Sequence, residues 1–233
     1  VDRDCPNAAR LKIKCIKMSK LDKVLITGSS KGLGANLARY FYEKGHDVIL
    51  HGRDKSNLKK LKSTISESNK IDFYACDLGI DKNLFDLSKY AKSKKVNLLI
   101  NNAGIHCANQ KFKNLDVSYI NDIINVNLKA PILLSHSMLE FLNGIININS
   151  MSGIETKKFR TLYASTKWGL KGFSECLKKE YECKNILDVY PTNIKTNEKI
   201  INGMDIDKVV NSIYSSYYNN NSELILDGRK KNV

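Results

Sequence analysis

Apolar positions along this chain fall into two alternating rhythms. Short, mostly apolar runs such as Val24-Leu25-Ile26, Val48-Ile49-Leu50 and Val96 to Ile100 are separated by stretches where apolar residues recur every three or four positions. A short apolar run bounded by turn residues predicts a buried parallel strand, and the longer spacing predicts an amphipathic helix. After the first strand, Leu33, Leu37, Ala38 and Phe41 mark a helix that Gly45 stops. Asp47 to His51 is a second strand, and Asp54 can cap a helix whose Leu58, Leu61 and Ile65 face the sheet. Ile71 to Cys76 makes a third strand, followed by a helix with Leu84, Leu87 and Ala91, and Val96 to Ile100 makes a fourth. One long helical pattern spans about Leu115 to Leu142, then a strand spans Ile145 to Asn149. A helix carrying Tyr163 runs to about Tyr181, Ile186 to Tyr190 is a sixth strand, residues 205–219 form a last helix and Leu224 to Leu226 a closing strand.

Strands alternating with helices predict an α/β fold: a single doubly wound parallel sheet of about seven strands, helices on both faces, joined by right-handed crossovers. Ligands in such folds sit beyond the carboxyl ends of the strands. The 233 residues suit one domain, residues 21–233, with no internal repeat and no interdomain linker. Residues 1–20 stand apart. There Arg10, Lys12, Lys14 and Lys17 alternate with Leu11, Ile13, Cys15 and Ile16 ahead of Met18. That stretch lacks the apolar core of a secretory signal, and Asp2 and Asp4 speak against a transit peptide, so it reads as a disordered or non-native extension.

Composition narrows the function classes. A hydrophobic content of 42% supports a packed core, and no apolar run approaches the roughly 18 residues of a membrane span. The net charge of +14 raises nucleic-acid binding, but the lysines are spread over the whole chain, which favours a solvated lysine-rich surface and no nucleic-acid or membrane partner. The six cysteines include no Cys-x-x-Cys pair and no zinc spacing with the four histidines, so reduced thiols in the cytoplasm and no bound metal are expected.

Chemistry concentrates just after the strands. Thr27-Gly28-Ser29-Ser30-Lys31-Gly32-Leu33-Gly34 follows a strand and opens a helix, the context of a Rossmann-type dinucleotide turn. Gly28 allows the tight turn, Gly32 lets backbone approach a phosphate, and Gly34 lets helix pack on sheet. The helix N-terminus then meets the pyrophosphate with its open N–H groups. Asn101-Asn102-Ala103-Gly104 follows the fourth strand and Ser150 the fifth. Tyr163 and Lys167 are four apart, hence on one face of a helix. A phenol beside an ammonium is a proton donor suited to carbonyl reduction. Alone, a Tyr-x-x-x-Lys pair is equally a surface feature of a helix; its weight comes from the motifs upstream.

In this order and spacing the motifs resemble the compact, single-domain short-chain dehydrogenase/reductases, over residues 23 to about 196. The resemblance is broadly to 3-oxoacyl-carrier-protein reductases. It implies that Tyr163 is the general acid, that Lys167 holds the nicotinamide ribose and lowers the Tyr163 pKa, and that Ser150 hydrogen-bonds the substrate carbonyl, with Ser152 a rival. Asn127 matches the asparagine that helps hold a water in a proton relay to Lys167. The cofactor-binding set implied is Gly28, Ser30, Lys31, Gly32, Leu33, Gly34, Arg53, Asp77, Leu78, Asn102, Ala103, Gly104, Tyr163, Lys167, Pro191, Ile194 and Thr196. An acid after the second strand would repel a ribose 2′-phosphate; this chain has Gly52 and Arg53 there, and Lys31 in the turn, which favours NADP(H). Asp54 could reach a ribose or cap its helix.

Beyond Thr196 the resemblance weakens. Thr192 stands where the family has glycine, and the segment from Asn197 to Asp205 is short for a lid. His106 and Cys107 could line the cleft or simply form the loop, and Lys157, Lys158 and Arg160 could attract an anionic substrate or stay solvated. Trp168, Phe173 and Leu177 read as core or subunit interface, and the resemblance implies a homodimer or homotetramer. The expected activity is NADP(H)-dependent interconversion of a small-molecule ketone and its secondary alcohol, with a 3-oxoacyl thioester as the first candidate. A sugar or other small-carbonyl reductase, and a non-catalytic dinucleotide-binding regulator, are the alternatives.

Overall fold

The computed structural model of the chain describes residues 21–106, 108–196 and 202–229; the predicted 1–20 extension lies outside the described residues. Seven strands form one parallel sheet: β1 (Lys23–Ile26), β2 (Asp47–Gly52), β3 (Ile71–Ala75), β4 (Leu98–Asn101), β5 (Gly144–Ile148), β6 (Asn185–Pro191) and β7 (Glu223–Leu226). Their order is β3-β2-β1-β4-β5-β6-β7. The chain therefore reverses its direction of travel between β1 and β4, and the crevice at their carboxyl ends is where such a sheet receives ligands.

Val24, Leu25 and Ile26 are completely buried because the sheet is covered on both sides. Val24 and Ile26 pack with Leu37 and Phe41 of α1 (Gly32–Glu43), Leu58 of α2 (Lys55–Ile65) and Ile213 of α7 (Ile206–Tyr218). Leu25, one residue out of phase, points the other way. It joins Leu84 and Leu87 of α3 (Asp81–Ser93), Leu134 of α5 (Ala130–Met138) and Leu177 of α6 (Thr161–Glu180).

One face also carries a polar ladder. Asn101, Asn147 and Asp188 are partners across β4, β5 and β6. Asn101 Nδ2 donates to Asn147 Oδ1 at 2.8 Å, and Asn147 Nδ2 donates to Ser174 Oγ at 2.6 Å. Ser174 Oγ and Lys178 Nζ donate to the two Asp188 oxygens at 2.7 and 2.8 Å. A slip of one residue in any of these strands would turn its rung to the other face and strand buried polar groups. The ladder thus fixes the register of the strands that present the site.

The predicted long helix from Leu115 to Leu142 is interrupted. It consists of α4 (Val117–Ile124), a π-turn at Asn125–Lys129, α5 and a single 3₁₀ turn at Leu139–Phe141. Two residues explain the break. Pro131 has no N–H to give the Asn127 carbonyl four positions earlier, so regular α pairing fails there. Asn127 itself is turned to a neighbouring loop, as described below. The apolar spacing runs straight through this segment, which is why the interruption does not show in the hydrophobic pattern.

Candidate active site

The turn after β1 is built by close approach. Gly28 has φ +64°, and a Cβ there would lie 2.7 Å from the Ala103 Cα. A Cβ on Gly34 would lie 2.5 Å from both Asn102 Nδ2 and the Gly28 carbonyl. The glycine turn and the Asn101–Gly104 segment are therefore in backbone contact across the β1–β4 crevice. Hydrogen bonds lock them together. Thr27 Oγ1 accepts the N–H groups of Asn102 and Ala103, each at 3.0 Å, and donates to the Ile100 carbonyl. Asn102 Nδ2 donates to the carbonyls of Thr27 and Gly28 at 2.8 and 3.0 Å.

His51, at the end of β2, holds the turn from the other side. Its Nδ1 accepts the Gly28 N–H at 3.2 Å, so the proton sits on Nε2, which donates to the Cys76 carbonyl at 3.2 Å. Burial pushes the His51 pKa down to about 4, which keeps the ring neutral and this tautomer intact. Helix α1 then begins with no side chain capping it and no acid in its first turn. Its leading N–H groups and the positive end of its dipole suit a phosphate. Uncapped helix, left-handed Gly28 and Gly32, and the absence of a carboxylate there together fit a dinucleotide pyrophosphate.

Arg53, just after β2, and Lys31, in the glycine turn, are both exposed and neither forms an ion pair among the described residues. Asp54 caps α2: its Oδ1 accepts from the N–H groups of Ser56 and Asn57 at 2.7 and 3.2 Å, and its Oδ2 accepts from Asn57 Nδ2 at 3.1 Å. Both carboxylate oxygens are engaged with the helix, and the Ser56 hydroxyl first, then these N–H groups, lower its pKa. Ser30 lies against Gly52, where a Cβ would come within 3.2 Å of the Ser30 Cβ. Asp77 accepts the Gly79 N–H at 2.8 Å. Leu33 and Leu78 are buried in the two cores, so what they offer a nucleotide is backbone.

The other half of the site forms where β5 meets α6. Tyr163 and Lys167 lie in the first two turns of α6, with Lys167 Nζ 5.8 Å from the centre of the Tyr163 ring. Lys167 is only 5% exposed, and its Nζ donates to the Ile148 carbonyl at 2.9 Å. Burial lowers its pKa to about 8. Asn149 donates through Nδ2 to the Lys167 carbonyl at 3.1 Å, and a Cβ on Gly153 would lie 2.7 Å from Asn149 Oδ1. Ser150 opens the 3₁₀ turn Met151–Gly153, its Oγ accepting the Ser152 N–H at 3.1 Å. Ser152 thus supplies a backbone donor that orients Ser150. Asn127, 1% exposed, accepts the Ile105 N–H on Oδ1 at 2.7 Å and donates from Nδ2 to the Ile105 carbonyl at 2.8 Å. Both ends of its side-chain amide hold the loop after β4.

Pro191 ends β6, and Thr196 reaches the glycine turn, where a Cβ on Gly32 would lie 3.6 Å from the Thr196 Cβ. Ile194 bridges to Met204. Thr192 is not in the left-handed region, so this departure from glycine strains nothing; its Oγ1 accepts the Gly228 N–H at 2.9 Å. Arg229, next along, grips Glu155 with two bonds of 2.8 and 2.9 Å and Asp227 with two more. The C-terminal stretch thereby ties the loop after β6 to the loop after β5. Thr27, His51, Pro131 and the Glu155–Arg229 pair act on the site without having been assigned a role from sequence. A histidine closing an apolar strand and a proline four residues after Asn127 were the available signals.

Residues 22–200 match the short chain dehydrogenase family. The chain belongs to that family. A hydroxysteroid dehydrogenase-like protein 1 of Gallus gallus is 30% identical over 171 residues, which are 70% of this chain and 52% of that relative, so the chain spans about half its length. A 3-oxoacyl-[acyl-carrier-protein] reductase of Rickettsia felis is 29% identical over 167 residues, 70% of this chain and 67% of the relative. Among solved structures, a bulky-bulky ketone specific alcohol dehydrogenase from Comamonas testosteroni superposes with a TM-score of 0.80 at 28% identity, covering 89% of this chain and 86% of that one.

In this short chain dehydrogenase a cleft opens beside Tyr163. Phe112, Leu115, Phe159 and Leu162 line it together with the polar Gln110 and Thr161. The loop after β4 reaches it through Tyr119, whose hydroxyl donates to the His106 carbonyl at 2.6 Å. Among the described residues no helix is long and apolar enough to cross a membrane.

Proposed function

We propose that this chain is an NADP(H)-dependent oxidoreductase that interconverts a ketone and a secondary alcohol. The observation that carries the reading is the buried Lys167 ammonium one helical turn behind Tyr163, itself part of a cleft lining, in a fold whose first helix opens uncapped after a glycine turn. When bound, the cofactor supplies a hydride from C4 of its nicotinamide to the carbonyl carbon. Tyr163 delivers the proton to the carbonyl oxygen, and Ser150, held by the Ser152 N–H, donates a hydrogen bond to the same oxygen as charge develops. Lys167 lies in a low-dielectric place, where its charge acts strongly on the Tyr163 phenol and favours the phenolate left behind. The Asn127 amide is spent on Ile105, so its part in returning a proton to Lys167 goes through its backbone, which the π-turn and Pro131 take out of regular helical pairing.

The exposed pair Lys31 and Arg53 supports NADP(H) over NAD(H), because two cations suit a ribose 2′-phosphate and the nearest carboxylate, Asp54, is turned into its helix cap. The relatives are named for compounds as different as hydroxysteroids, 3-oxoacyl-carrier-protein and bulky-bulky ketones, and the activity of the chain as a whole is inferred on that footing. A regulator that binds dinucleotide without turnover would have no need of a buried lysine set against a tyrosine and a capped serine. The test is Tyr163→Phe. It should keep NADPH affinity within about twofold and lose at least about a hundredfold in ketone reduction. Undiminished reduction by that variant would refute the mechanism, and a clear preference for NADH would refute the cofactor assignment.

A further inference from the structure

The cleft beside Tyr163 combines apolar Phe112, Leu115, Phe159 and Leu162 with polar Gln110 and Thr161. Phe112 and Phe159 both line it and are 54% and 49% exposed, which puts open apolar surface next to Tyr163. Each is flanked by cations in sequence: Lys111-Phe112-Lys113 on one side and Lys157-Lys158-Phe159-Arg160 on the other. Five of these seven residues are cationic, against 38 of 233 in the chain, and the other two are the phenylalanines. The acids beside these segments are Asp116, at the start of α4, and Glu155, which Arg229 neutralises through two bonds. The lip is also held in an unfavourable backbone. Asn109 and Phe159 both have positive φ, +52° and +63°, and a bulky aromatic there is an outlier that the surroundings must enforce.

We propose that the substrate is an amphipathic anion: a ketone whose carbonyl meets Tyr163, whose apolar chain or ring lies between Phe112 and Phe159, and whose far end carries a carboxylate or phosphate among the rim cations. This rests on the reductase reading and specifies it. The apolar body supplies affinity by leaving water, while the rim charges orient the molecule and raise its local concentration. A small neutral sugar offers neither feature.

Three probes separate these terms: para-acetylphenyl-butanoate, its methyl ester, and levulinate, which keeps the carboxylate but lacks the ring. Initial rates of NADPH oxidation should give the aryl acid a kcat/KM about tenfold above levulinate. It should exceed its ester by about threefold at low ionic strength, with the ester gap closing in high salt. The double variant Phe112→Ala/Phe159→Ala should collapse the first ratio, and Lys113→Gln/Lys158→Gln/Arg160→Gln should collapse the second. Equal use of all three probes by the parent enzyme, or ratios untouched by these variants, overturns the proposal. If no probe is turned over in either direction, ligand-observed NMR with the NADPH-loaded protein still decides. Binding of the aryl acid that the phenylalanine variant abolishes upholds the cleft while the reductase reading falls, and absence of binding overturns the cleft assignment itself.

Discussion

Three glycines of the turn after β1 separate backbone strain from packing, and alanine substitution at each gives a different result for a calculable reason. At Gly32, φ is +59° but a Cβ would meet only Thr196 at 3.6 Å, an ordinary contact. Gly32→Ala therefore carries the left-handed penalty alone, about 1–2 kcal/mol. At Gly34 the backbone is ordinary helix, where alanine gains up to about 1 kcal/mol over glycine. Its Cβ, however, would sit 2.5 Å from the Gly28 carbonyl and 2.9 Å from the Ser29 Cα, and backbone cannot swing aside as a side chain can. Overpacking of about 1–3 kcal/mol leaves Gly34→Ala destabilised by about 0–2 kcal/mol. Gly28→Ala combines both costs. Its φ is +64°, and the Ala103 backbone would have to retreat from 2.7 Å to beyond 3.4 Å. The sum is about 2–5 kcal/mol.

Urea unfolding followed by circular dichroism gives the order Gly28→Ala worst, with the other two milder. NADPH titration gives a second axis. Gly34→Ala displaces Asn102 from the Thr27 and Gly28 carbonyls, and Gly32→Ala fills space next to Thr196, so both should weaken NADPH by at least about tenfold despite their small effect on stability. A Gly28→Ala protein as stable as its parent, or Gly32→Ala costing more than Gly28→Ala, would refute this account of the turn.

Other consequences follow from buried ionisable groups. Lys167 has a folded pKa of about 8, below its unfolded value of 10.5, so the unfolded chain holds the extra proton between those values and stability rises with pH across that window. Lys167→Met should remove up to about 3 kcal/mol of that rise in chemical denaturation curves, and parallel curves for parent and variant would sink it. For His51 the folded pKa of about 4 lies below 6.5, so stability is full above pH 6.5 and falls toward pH 4 by up to about 3 kcal/mol. His51→Gln should flatten thermal stability over that range, and its NADPH affinity should drop because Gly28 loses its partner. Burial raises the Asp188 pKa in spite of its Lys178 partner, yet Asp188→Ala leaves the buried Ser174 hydroxyl without its acceptor and Lys178 without its buried carboxylate. About 3–5 kcal/mol of stability should go, measured by urea, and a neutral outcome would mean the ladder does not hold the register.

What the chain discloses by itself depends on how local the cause is. Strands β1, β2 and β4 are short apolar runs because both their faces are covered, and the run survives in any reading frame. Asp54 is legible as a cap because the N–H groups that donate to it, those of Ser56 and Asn57, lie within three residues. The break at Asn125–Lys129 is not legible in the apolar period, since its cause is a pair of bonds to Ile105, 22 residues away, and a proline whose missing donor matters only for one carbonyl. The same holds for Glu155 and Arg229, 74 residues apart, and for Asn101, Asn147 and Asp188, which meet only once the sheet has its order. Two of the residues quoted as cofactor contacts, Leu33 and Leu78, turned out to be core side chains, because a motif position does not say whether backbone or side chain does the touching.

The two kinds of contact divide the site into a stiff half and an adjustable half. The segments of the candidate site are held by buried side chains distant in sequence: Thr27 to the loop after β4, His51 to the glycine turn, Asn127 to Ile105, Asn149 to the Lys167 carbonyl. Buried bonds of this kind are unscreened, and losing one leaves a polar group with no water to replace its partner. The walls of the substrate cleft are held otherwise, by local turns and by the exposed Glu155–Arg229 pair, which salt weakens. Substitutions in the first set should therefore lower turnover for every ketone alike. Substitutions in the second should redistribute preference among ketones, and do so more at high ionic strength, where the Arg229 grip on the Phe159 loop slackens. On the proposed assignment, the reaction chemistry is kept in a fixed geometry by buried bonds, while Phe112, Phe159 and their flanking cations, which would choose the substrate, sit on loops tied down mainly by local turns and an exposed ion pair.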